Sequence, residues 1–282
     1  MATGEPELAG RVALVTGANT GIGRLTATRL AAHGAHVFVA GRSEERTSGV
    51  LDDIRALGRS PPAQFLPLDL GDFASVRACA NAFLARNLPL HLLINNAGLA
   101  GARGLTKSGF EMAFGVNHVG HFLLTQLLLE RVRASAPARI VTVASRAHRR
   151  VRGIDWADVR RPTSTLLGIR EYCVSKLANA LFSAELGRRL QSSGVTTYSL
   201  HPGVIDTDIW RHVPAPLCAL NRWRLGPVGD GVKTTLHCAL AASAASESGL
   251  YYSEARPTSP SEAAGNLALA AELWRRSAEW TC

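Results

Sequence analysis

The chain has 282 residues, 46% of them hydrophobic and 19% charged, with a formal net charge of +9. That balance suits one α/β domain over residues 1–282 with an ample core, and no apolar run reaches the roughly 18 residues that cross a bilayer. Dispersed arginines read as a solvated surface and not as a nucleic-acid patch, and five scattered cysteines without a Cys-x-x-Cys exclude a disulfide framework.

Residues 1–10 hold no basic stretch followed by an apolar one, so no secretory signal is expected, and the thiol pattern points to the cytoplasm. From there, short apolar runs alternate with stretches of helical spacing. Strands are expected over 12–16, 35–40, 64–69, 91–95, 138–144 and 195–200. Helices are expected over 21–33, 44–57, 73–86, 108–133, 171–191, 230–245 and 262–277. Near-continuous apolar strands separated by helices imply an α/β fold, a doubly wound parallel sheet of the Rossmann type covered on both faces. Residues 206–227, from Asp206 to Pro227, lack a clean period and are expected to form a mobile loop over the substrate pocket.

The first strand runs into Thr16-Gly17-Ala18-Asn19-Thr20-Gly21-Ile22-Gly23. Glycines at this spacing let the backbone turn sharply and approach a pyrophosphate, and the helix starting near Gly21 aims free N–H groups at it. A plain strand–helix turn is the alternative. After the second strand, an acid would mark NAD by binding the ribose 2′-hydroxyl. Neither Ala40 nor Gly41 is acidic, and Arg42 suits a 2′-phosphate, so NADP is the expected cofactor. A solvated Arg42 is the bland reading.

Tyr172-Cys173-Val174-Ser175-Lys176 puts a phenol and an ammonium four residues apart, on one face of a helix. A nearby cation favours phenolate and draws the phenol down from its ordinary pKa, which makes an acid for carbonyl reduction or a base for alcohol oxidation. With this composition, such a pair arises by chance about 0.04 times per chain. His118 and His121 lie three apart, but no nearby carboxylate or cysteine completes a ligand set, so no metal is expected. Cys173 reads as a buried inert thiol. The densest basic run is Arg146-Ala147-His148-Arg149-Arg150-Val151-Arg152.

The glycine-rich turn, Asn95-Asn96-Ala97-Gly98, Ser145, Tyr172, Lys176 and Pro202-Gly203, in this order, resemble the short-chain dehydrogenase/reductase family over nearly the full length. Within it the chain is most similar to the retinol dehydrogenase group, through Val116-Asn117-His118-Val119-Gly120-His121-Phe122, Ser145-Arg146-Ala147-His148 and Thr197-Tyr198-Ser199-Leu200-His201-Pro202-Gly203. The resemblance implies roles. Tyr172 would be the proton donor or acceptor, Ser145 would bind the substrate oxygen, and Lys176 would hold the nicotinamide ribose. Asn117 would anchor a water linking Lys176 to solvent. Gly17, Asn19, Thr20, Gly21, Ile22 and Gly23 would hold the phosphates. Asp69 would face the adenine, Asn95, Asn96, Ala97 and Gly98 would line the cofactor cleft, and Pro202, Gly203 and Thr207 would sit against the nicotinamide. Plain structural readings are a strand-end turn for Ser145 and a helix cap for Asn117, while Asp69 or Asp72 would cap the next helix.

The expected function is NADP(H)-dependent interconversion of an apolar aldehyde or ketone and its alcohol, with retinal as the lead guess. The alternatives are a reductase of another lipid, steroid or secondary-metabolite carbonyl, and a non-catalytic NADP-binding sensor. The expected partner is a small apolar carbonyl or alcohol, with no nucleic acid. Contact with a membrane surface is expected to be weak at most, through residues 210–224. A homodimer is left open.

Overall fold

The computed structural model describes residues 8–59, 61–203 and 228–282. The 206–227 loop, Thr207 within it, and the 210–224 stretch lie outside the described residues. Among the described residues, eight strands form one sheet: β1 (Val12–Thr16), β2 (His36–Gly41), β3 (Gln64–Pro67), β4 (Leu92–Asn95), β5 (Ala138–Val143), β6 (Val195–His201), β7 (Leu250–Ser253) and β8 (Arg256–Pro257). Their order is β3-β2-β1-β4-β5-β6-β7-β8. Every pairing is parallel except that of β7 with β8. The chain leaves β1 toward β2 and β3 on one side, then returns to lay β4 on the other. The turns after β1 and β4 therefore diverge, which opens a crevice at the carboxyl ends of the strands.

Helices α1 (Gly21–Ala32), α2 (Glu44–Leu57), α3 (Phe73–Leu84), α4 (Met112–Ala134), α5 (Ile169–Arg189), α6 (Val228–Leu240) and α7 (Leu267–Thr281) surround the sheet. Side chains alternate across the pleat, and both faces are covered. Ala13 and Val15 of β1 join the core with Leu30 of α1, Ile54 of α2 and Leu236 of α6. Val12 and Leu14 face the other way, into the core built with Phe83 of α3, Phe122 of α4 and Phe182 of α5. This two-sided burial is why β1 reads as an unbroken apolar run. α4 is long and apolar enough to cross a membrane by composition, but its apolar length is buried inside this fold.

The six expected strands are present, with ends that differ by up to two residues; β7 and β8 were not expected. They close a tight hairpin through Glu254 and Ala255, both at positive φ. The α4 helix begins at Met112 and not near 108, because Gly109, at φ 78, sits in a turn whose N–H donates to the Thr106 carbonyl. The α7 helix begins at Leu267, capped by Asn266, whose Oδ1 accepts the Leu269 N–H at 2.9 Å. The α4 ladder is interrupted once, by a π turn over Gly115–Val119 that contains Asn117. Such a bulge frees backbone groups that a regular helix would consume.

Candidate active site

A cleft of about 640 Å³ runs along the carboxyl ends of the strands. One end is built from turns. The Asn96 side-chain amide donates to the carbonyls of Thr16 (2.8 Å) and Gly17 (3.2 Å), which fastens the turn after β1 to the turn after β4. Gly17 has φ 66, and a Cβ there would stand 2.7 Å from the Ala97 Cα. A Cβ on Gly23 would fall 2.4 Å from both the Asn96 amide nitrogen and the Gly17 carbonyl. Thr20, the N-cap of α1, makes no side-chain capping bond, so the first N–H groups of the helix remain available to an anion. Asn19, Thr20, Gly21 and Ile22 line the cleft beside them, as do Ala97 and Gly98. Arg42 lines it at the end of β2, exposed and without a hydrogen bond or ion pair among the described residues. These features fit a dinucleotide pyrophosphate, with a cation beside the adenosine end.

Asp69 lines the cleft and accepts from the Gly71 N–H at 2.9 Å, while the cap of α3 is Asp72, which accepts from the Ala74 N–H at 3.0 Å. One expected residue stands differently. Asn95 is buried and turned away from the cleft, donating to Thr125 Oγ1 at 3.0 Å. Of the segment expected to line the cleft, its neighbour Asn96 forms the wall, with Ala97 and Gly98.

The other end is built from side chains. Tyr172 and Lys176 lie one turn apart on α5, with the Lys176 Nζ 5.7 Å from the Tyr172 ring centre. The Lys176 ammonium donates to the Val143 carbonyl at 2.7 Å. Ser145, just beyond β5, hydrogen-bonds the Tyr172 side chain and also accepts from the Ala147 N–H at 3.1 Å. Pro202 and Gly203 close this end after β6. Asn117 is fully buried behind it. Its side chain is held by the Leu99 backbone at 2.9 and 3.0 Å and by Ser175 Oγ at 2.9 Å.

His121 completes the arrangement, and sequence reasoning missed it. The Thr16 hydroxyl accepts N–H groups from Asn96 (3.0 Å) and Ala97 (2.9 Å), so both its lone pairs are engaged. Its own hydrogen is left for His121 Nε2 at 2.9 Å, nearer than the Ile94 carbonyl at 3.4 Å. Nε2 is then the acceptor, and Nδ1–H donates to the Asn117 carbonyl at 2.9 Å. Burial, helped by the nearby Lys176 charge, lowers the His121 pKa to about 4 and keeps the ring neutral. One imidazole thus ties the first glycine turn to the π turn that carries Asn117. The available signal was its spacing of four from Asn117.

Burial dominates the titration of the pair. It pushes the Tyr172 phenol up to about 12, against the hydrogen bond from Ser145, which pulls it down. Burial also lowers Lys176 to about 7. The expectation that Lys176 draws the phenol toward neutral pH is therefore overturned: desolvation outweighs it. Tyr172 is protonated at neutral pH, beside an amine whose charge burial disfavours.

A glycine-cradled anion site joined to a buried Tyr–Lys pair and a half-buried Ser145 is the arrangement of a nicotinamide-dependent oxidoreductase acting on CH–OH groups. A family model described as short chain dehydrogenase matches residues 11–157. The chain is 45% identical to "Retinol dehydrogenase 12" of Homo sapiens, covering 97% of this chain and 87% of that one. A putative uncharacterized protein from Mycobacterium paratuberculosis superposes with a TM-score of 0.79 at 31% identity, covering 100% of this chain and 97% of the other. The Pseudomonas aeruginosa RhlG/NADP active-site complex gives 0.68 at 26%, covering 87% and 94%. The chain belongs to the short-chain dehydrogenase family, as the resemblance in its motifs implied. Its substrate is a small carbonyl compound or alcohol.

Proposed function

We propose that this protein reduces apolar aldehydes or ketones to alcohols with NADPH, retinal-like aldehydes being the lead substrate class. The observation that carries the reading is geometric: Tyr172, hydrogen-bonded to Ser145 and one helical turn from Lys176, lines the same cleft as the glycine turn. When bound, the dinucleotide supplies the hydride that reaches the carbonyl carbon. Ser145 donates a hydrogen bond to the carbonyl oxygen, and Tyr172 gives that oxygen its proton. Lys176, held by the Val143 carbonyl, stabilises the phenolate left behind and passes a proton back to it. Asn117 and His121 act as positioning residues behind Lys176. Arg42 supports NADP over NAD, since a guanidinium makes a charge-assisted pair with a 2′-phosphate and cannot accept the proton that a 2′-hydroxyl donates. The similarity to a relative named for retinol supports a long apolar substrate. The cytoplasmic assignment is supported by the described thiols, which are all unpaired.

An NADPH-oxidation screen across aldehydes and ketones of graded chain length, retinal included, tests this reading. Turnover rising with apolar length is expected. No NADPH consumption with any member, in a protein that binds NADPH, would leave only the cofactor half and favour a sensor.

A further inference from the structure

Arg42, Arg146 and Arg150 all line the cleft, and none makes a hydrogen bond or ion pair among the described residues. Elsewhere, arginines within reach of an acid take it: Arg24 with Asp53, Arg189 with Glu185, Arg276 with Glu272. The 2′-phosphate accounts for Arg42. It does not account for Arg146 and Arg150, which stand at the other end. The Arg150 charge acts on Cys173, beside Tyr172, and the Arg146 charge acts on His201, beside Pro202.

Their mounting is firm. Both sit on the single turn Arg146–Arg150, directly after Ser145. Its middle residue, His148, is fully buried. His148 Nδ1 meets the Ser145 carbonyl at 2.6 Å, and Nε2 accepts the Ser261 N–H at 3.1 Å. Arg149 is tied to the Ser259 carbonyl. Two exposed arginine side chains therefore line the cleft from a fixed base, the turn that follows Ser145. Among the described residues, the only acid lining the cleft is Asp69, at the dinucleotide end. The neighbouring wall is apolar, with Ile169 and Ala147.

We propose that Arg146 and Arg150 bind a carboxylate on the substrate, so that the preferred substrate is an apolar carbonyl compound carrying an acid group away from its reacting end. A planar guanidinium matches the two oxygens of a carboxylate, and because both arginines are exposed the pairing is sensitive to salt. This inference rests on the carbonyl-reductase reading and narrows its substrate class.

The test compares a straight-chain aldehyde with the same chain ending in a carboxylate, by NADPH oxidation. In the wild-type protein, kcat/KM is expected to favour the carboxylated chain by about tenfold or more, mostly through KM, and to lose that advantage at high salt. In the Arg146→Gln/Arg150→Gln double variant the ratio should fall toward one, while Arg146→Lys/Arg150→Lys retains part of it. A direct measurement keeps the inference apart from turnover. Calorimetry on the NADPH-bound protein should show a fatty acid binding more tightly than the alcohol of equal length, with the difference lost in the double Gln variant. No preference in the wild type by both measures, or a preference that survives the double Gln variant, overturns the proposal. Salt-sensitive binding of the two arginines to anionic vesicles, with no change in either ratio, overturns it too and assigns the arginines to a lipid surface. Failure of every aldehyde to turn over, with the fatty-acid preference intact, would instead remove the reductase reading and keep the carboxylate site.

Discussion

The two ends of the cleft are made in opposite ways. The dinucleotide end is defined by missing atoms: at Gly17 and Gly23 a single Cβ would collide with the turn that follows β4. The Tyr172 end is defined by atoms present and buried, where desolvation sets the protonation of Tyr172, Lys176 and His121. At the first end a substitution fails by shape. At the second it fails by changing where a proton resides, and the fold tolerates the loss of one hydroxyl. Binding and chemistry are therefore separable by mutation, although His121 physically joins the two ends.

The largest expected effects separate them. Tyr172→Phe removes only the acid and should lower kcat by on the order of a hundredfold to ten-thousandfold, with NADPH affinity nearly unchanged. Gly23→Ala should do the reverse of that division, abolishing NADPH binding measured by fluorescence titration, because the new Cβ has no room at 2.4 Å from two polar atoms. Similar losses of affinity in both variants would show that the two ends are not independent. A smaller effect is expected at Arg42. Exchange for Asp should shift the ratio of NADP to NAD dissociation constants by about tenfold toward NAD, since it replaces a phosphate partner with a hydroxyl acceptor. An unchanged ratio would make Arg42 a solvated surface residue.

His121 tests the joint between the ends. His121→Phe removes both of its hydrogen bonds and leaves the Asn117 carbonyl and the Thr16 hydroxyl short of partners in a buried site. Loss of kcat by about tenfold is expected, with a weaker change in KM. Gln can donate to one partner and accept from the other, so His121→Gln should restore most of the turnover. If Phe and Gln variants behave alike, the ring serves packing only.

What was legible in the sequence follows the same division. The parallel core shows itself because its strands are buried on both faces, so β1 and β5 read as apolar runs. The glycine turn and the Tyr172–Lys176 pair are local spacings, and spacing survives in one dimension. Short β7 and β8 lack the length to show a period. Asn95 and Asn96 are adjacent, and only the strand's end geometry decides which of them faces the cleft. The network around His121 depends on Thr16, 105 residues earlier, and a pair of histidines three apart raises the question of metal before that of a backbone carbonyl. The pKa of Tyr172 was misjudged for a related reason: the charge of Lys176 is visible in sequence, while the burial that outweighs it is a property of the fold.

The smallest effect at neutral pH becomes visible only in acid, and it concerns stability. Burial lowers His118 to about 3, and His121 and His201 to about 4, from an ordinary 6.5. The folded protein thus holds these three rings neutral, while the unfolded chain takes up protons on them as pH falls through 6.5. Between about 6.5 and 4 the unfolded state binds more protons, so stability decreases as pH decreases through that window and is fully present above it. The carboxylates held low by arginine, such as Glu185 and Glu272, add their loss as pH falls below their ordinary value of 4.5. Thermal melts followed by circular dichroism, from neutral pH downward, should show a level melting temperature above pH 6.5 and a fall beneath it. His121→Gln removes one of the three titrating rings and keeps its hydrogen bonds, so its melting temperature should fall less steeply over the same interval. A wild-type melting temperature that stays level to pH 4 would mean that the buried rings find compensating partners when charged, and that the neutral state assigned to His121 does not contribute to folding.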